Sequence, residues 1–89
     1  MKNQVLIEKN FEEVENITKQ LKFYREVNDL IFLKYYVMMA MELLFSMIDV
    51  VKILRIENDF EVVQLFEEKI DLLIETINSV CESNNMVVS

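Results

Sequence analysis

Carboxylates are the commonest of the side chains in this 89-residue chain that could do chemistry. Glu42 and Asp49 lie one heptad apart. Glu61, Glu68, Glu75 and Glu82 recur at seven-residue intervals, with Asp71 among them and Glu67 at their edge. Neighbouring carboxylates can share acid–base work or hold a hard cation. There is no histidine, so the commonest general base and transition-metal ligand is missing. Carboxylate-bridged metal sites in helical proteins add Glu-x-x-His motifs to several Glu, and none can be formed here. Nor do Arg25, Lys52 and Arg55 form the basic cluster that an anionic substrate would need. The expectation is no catalytic residue, no cofactor and no metal. Glu42 and Asp49 are read as lining the solvent edge of a helix or pairing with Lys34 and Lys52.

The lone cysteine, Cys81, falls on an apolar arc and cannot form an intramolecular disulfide. No nearby base lowers its pKa, so it reads as a buried, inert thiol in a reduced, cytoplasmic protein. The first residues offer only Val5, Leu6 and Ile7 before Glu8, too few for the apolar region of a secretory leader.

The row of acids on the last helix points to binding. Net charge is −7, and residues 1–55 hold eight acids and eight bases, whereas residues 56–89 hold eight acids and one base, Lys69. That base lies about 100° around the helix from Glu68. Direct contact with nucleic acid or anionic lipid is disfavoured, since both attract clustered Lys and Arg. Glu61, Glu67, Glu68, Asp71, Glu75 and Glu82 instead form a candidate docking face for a protein with a basic surface, such as the phosphate-binding channel of a nucleic-acid enzyme. The bland alternative is a solvated face that keeps an apolar protein in solution.

The elements that must position these residues are helices. The chain has neither glycine nor proline, so tight hairpins lack their usual positive-φ residue and nothing interrupts a helix by the usual chemistry. The central stretch, Leu30 to Ile56, is apolar around well over half of a helical circumference. Lys34, Glu42, Asp49 and Lys52 gather on one stripe, and Arg55 lies just off it. A membrane span needs about 20 predominantly apolar residues. The longest charge-free run here is Tyr35 to Met41, with Glu42 and Asp49 beyond it, so no span is expected. Protein must then cover this helix on nearly every side. Tyr24, Tyr35 and Tyr36 read as amphipathic residues at the edge of the core.

Asn10-Phe11-Glu12-Glu13 fits a capping box, so the first helix is placed at about 10–26, with Phe11, Val14, Ile17, Leu21 and Tyr24 on its apolar face. Residues 1–9 read as an arm that is either extended or helical. Asn28 can take a left-handed position and Asp29 can cap the second helix, 29–56, although a continuous helix through 27–30 also fits. Asn58-x-x-Glu61 repeats the capping box, so Asn58 or Asp59 is expected to cap the third helix, 59–82. Residues 83–89 read as a frayed tail. The start of helix 1, Ile7-Glu8-x-Asn10-Phe11-Glu12-x-Val14, echoes Ile56-Glu57-x-Asp59-Phe60-Glu61-x-Val63; because the match does not extend through the helices, it reads as two helix starts solving one capping problem rather than as a duplication.

The expected fold is all-α, a single domain over 1–89 built as an antiparallel three-helix bundle. Its hydrophobic fraction is 53%, above that of ordinary soluble domains. The surplus predicts a homodimer in which Tyr35, Met38, Met39, Met41, Phe45 and Ile48 of the central helix meet a second copy. The functional expectation is a small acidic interaction protein without enzymatic activity. A phage- or mobile-element-encoded inhibitor of a host nucleic-acid-binding enzyme fits its size and charge. The alternative is a structural module that only assembles.

Overall fold

The computed structural model describes residues 4–83. They form three helices, α1 (Gln4–Glu26), α2 (Leu30–Ile56) and α3 (Phe60–Ser83), with no strand among the described residues. Each helix packs on both others. The buried positions follow helical spacing: Ile7, Val14, Ile17 and Leu21 on α1, Leu33, Val37, Ala40, Met47, Val51 and Leu54 on α2, and Phe66, Leu73, Ile77 and Val80 on α3. Steps of three and four keep one stripe of each helix facing a common core. At one level of that core Phe66 is fully buried and meets the Phe11 ring at 5.2 Å between centroids.

The two connections are the same turn used twice. Asn28 and Asn58 are the only non-glycine residues with positive φ among those described, at 56° and 60°. At the first turn, the Asp29 N–H donates to the Tyr24 carbonyl and the Asn28 N–H to the Arg25 carbonyl. Thirty residues on, Asp59 donates to Leu54 and Asn58 to Arg55 in the same pattern. This is the Schellman arrangement, with asparagine in the left-handed place that glycine usually takes. The next residue begins the following helix. Leu33 N–H bonds to the Asp29 carbonyl and Val63 N–H to the Asp59 carbonyl, and the Asp29 carboxylate accepts from the Phe32 N–H at 3.3 Å. The break at 27–30 is therefore made, and the continuous helix is not formed.

Two capping expectations are corrected. Asn10 does not start a helix. It sits inside α1, only 7% exposed, with its amide donating to the Leu6 carbonyl at 2.8 Å. The helix runs back to Gln4 because nothing at 5–9 opposes it and Ile7 gains burial in the core. Of the two caps expected for α3, Asp59 takes the position, its carbonyl accepting from the Val63 N–H, and Asn58 with its capping box to Glu61 does not, because its left-handed backbone ends α2. The echo between 7–14 and 56–63 thus joins a helix interior to a helix start. Of the proposed arm, residues 4–9 are helical and 1–3 lie outside the described residues. Of the proposed tail, Ser83 closes α3 and 84–89 lie outside them.

Candidate interaction surfaces

α3 carries its core residues on one side, so the acids at seven-residue spacing must emerge on the other. Glu61, Glu67, Glu68, Asp71, Glu75 and Glu82 are all exposed, as are Gln64 and Asn78 between them. Among the described residues, one of these acids has a basic partner. Arg55, near the end of α2, reaches across the turn to pair with Glu67. Lys69 turns away and places its ammonium 5.5 Å from the centre of the Phe11 ring, a cation–π contact that takes it out of the acidic row. Arg25 of α1 approaches α3 at Ser79, 3.5 Å away. A shallow open groove of about 510 Å³ runs between α1 and α3, lined by residues including Phe11, Thr18, Lys22 and Leu72.

The second surface is the outer side of α2. Its inner arc is buried, but Tyr35, Met38 and Phe45 are 54%, 65% and 59% exposed. Met39, Met41 and Ile48 are half-buried on the flanks, the two methionines against the core. The cover expected on nearly every side of Leu30 to Ile56 is thus present on the inner arc and its flanks only. The structure groups Tyr35, Met38 and Phe45 with exposed residues that sequence reasoning did not assign to this surface. These are Ile31, Ile53 and Ile56. The signal was available, because Ile31, Tyr35, Met38, Glu42, Phe45, Asp49, Lys52 and Ile56 alternate by four and three residues, and all eight are exposed. Glu42 and Asp49 lie on this stripe and pair with neither Lys34 nor Lys52 within the chain. Among the described residues, no group of three or more carboxylates or thiols is placed to hold a metal ion.

Where α1 meets α2 the aromatic residues stack. Tyr24 lies between Phe32 and Tyr36, at 5.2 and 5.4 Å, and Phe23 and Tyr35 meet the stack edge-on. The rings pack around the first turn, with Tyr24 and Tyr36 at the edge of the core as expected, whereas Tyr35 is more than half exposed on the outer side of α2. Cys81 is buried, and burial pushes its thiol above the ordinary value of 9.0. No helix among the described residues is long and apolar enough to cross a membrane. Comparison with protein families, with curated proteins and with solved structures finds no match to this chain.

Proposed function

We propose that this chain is a small acidic interaction protein without enzymatic activity, an antiparallel three-helix bundle that dimerises and docks its α3 acids on a protein with a basic surface. The observation that carries this reading is the row of exposed carboxylates along α3, of which, among the described residues, Glu67 alone is paired with a base. Carboxylates at helical spacing present a line of negative charge much as a nucleic-acid strand does. The partner class that fits is therefore a protein whose channel binds phosphates, and occupying that channel would inhibit it. A source in a phage or mobile element accords with the size and charge.

The test uses host proteins retained on heparin, passed over the immobilised wild-type chain and over its Glu68→Gln, Asp71→Asn, Glu75→Gln triple variant. The wild type is expected to retain a discrete partner at low salt and release it at high salt, with nucleic acid competing. The triple variant is expected to retain little. Equal retention by both would sink the docking face. The exposed apolar stripe of α2 favours a second reading, a module that only assembles. In that case affinity for the partner should barely respond to salt.

A further inference from the structure

The outer stripe of α2 lies in water in the single chain, and its sequence specifies an occupant. Its exposed positions alternate by four and three residues from Ile31 to Ile56, the spacing of a helix seam that packs against another helix. Glu42, Asp49 and Lys52 stand within it, and none makes an ion pair with another of the described residues. We propose that a second copy of the chain covers this stripe, packed antiparallel through α2, with Glu42 of each copy level with Lys52 of the other. This rests on the self-assembly part of the proposed function and is independent of the α3 acids.

Charge decides the direction. A parallel pair would set Glu42 against Glu42, Asp49 against Asp49 and Lys52 against Lys52 in successive layers, and like charges opposed in a seam are destabilising. An antiparallel pair separates them.

Charge also decides how far the helices slide. The stripe faces itself only in arrangements that differ by whole heptads. With full overlap, Glu42 opposes Phe45, Asp49 opposes Met38 and Lys52 opposes Tyr35, so every charge loses water and none meets a counter-charge on the other copy. A heptad shift one way leaves Lys52 beyond the overlap and sets the two acids against Met38 and Ile31. The opposite shift sets Glu42 level with the partner's Lys52, Phe45 with Asp49 and Met38 with Ile56, each contact occurring twice by symmetry. Asp49 also lies three residues before Lys52 on its own helix, so one ammonium serves two carboxylates. This overlap covers residues 38–56, about 27 Å of helix at ~1.5 Å per residue.

The test is sedimentation equilibrium on the full chain, with circular dichroism as the folding control, because both charged residues are exposed. The wild type is expected to be a dimer at micromolar concentration. Glu42→Lys and Lys52→Glu should each weaken it by about tenfold or more, since each places like charges together twice. The variant carrying both exchanges should recover much of the affinity that either single exchange loses, short of wild type because the exchange at position 52 also takes the cation from beside Asp49. A monomeric wild type would overturn the proposal. So would single variants that dimerise normally, or a double variant that does not recover. A dimer lost only with Phe45→Glu would overturn the stated alignment. All these outcomes are read from mass, so they remain distinct from the partner-retention result that tests the acidic face.

Discussion

Replacing Asn28 and Asn58 tests the physics of the two turns directly. Each residue holds a positive φ, at 56° and 60°. A side chain with a Cβ pays about 1–2 kcal/mol in that conformation relative to glycine, a cost that asparagine partly offsets by local hydrogen bonding. Glycine returns part of its advantage through the greater freedom of its unfolded chain, about 0.4–1 kcal/mol. Both side chains are exposed, so shortening them removes little packing. The expected order is glycine at or above asparagine, and alanine below glycine by about 1 kcal/mol at each site. The turns stand at opposite ends of α2, whose 27 residues span about 40 Å. The two effects should therefore add, giving about 2 kcal/mol between the double glycine and double alanine variants. Urea unfolding at fixed protein concentration measures this. Thermal midpoints should separate by about 4–8 °C for each kcal/mol. Alanine variants as stable as their glycine counterparts would refute the reasoning. So would an alanine variant that gains helix and lengthens, because that would mean the turn was held by something other than the left-handed residue.

Other outcomes follow from single residues. Asn10→Leu should stabilise the fold by about 1 kcal/mol in urea unfolding, because the buried amide bonds only to a carbonyl of its own helix and leucine adds apolar burial. Cys81 should react with a thiol reagent far more slowly in the native protein than in denaturant. Its folded pKa is raised, so the folded state holds its proton to higher pH than the unfolded chain does. Stability should be unaffected below pH 9.0 and fall as pH rises above it, and Cys81→Ser should flatten that fall in alkaline unfolding curves. The triple variant at Glu68, Asp71 and Glu75 should unfold at slightly higher urea, because the like-charge pair Asp71–Glu75, four residues apart, costs about 0.2–0.5 kcal/mol. A lower midpoint would show that the acids support the helix.

Much of this arrangement was legible because α2 and α3 repeat at helical spacing and each begins after an Asn-Asp pair. What was misread is local chemistry with two solutions. Asn10 has the neighbours of a cap, yet burying Ile7 outweighs ending the helix there, and no local pattern reports a distant core. Asn58 suits either a cap or a left-handed stop. Comparing Arg25-x-x-Asn28-Asp29 with Arg55-x-x-Asn58-Asp59 favours the stop, because the same residues recur at the same spacing where the first helix ends. On the surfaces, helical spacing alone sets the α3 acids opposite the core. The Arg55–Glu67 pair was hidden because it crosses a turn, where spacing along one helix says nothing. The stripe on α2 was half seen. That helix is apolar on so many sides that composition cannot say which arc the other two helices leave open.

The twin turns also gear the helices together. Each spends every residue on hydrogen bonds, the left-handed asparagine ending one helix and the aspartate after it starting the next. No slack remains in which a helix could spin about its own axis. A change of about 100° in the phase of α2, the effect of one inserted residue absorbed as helix, would carry buried leucines to the outside and bring charges inward. The side of α2 that faces outward is thus set by two asparagine–aspartate pairs at its ends, and a chain this short keeps its orientation without a single glycine.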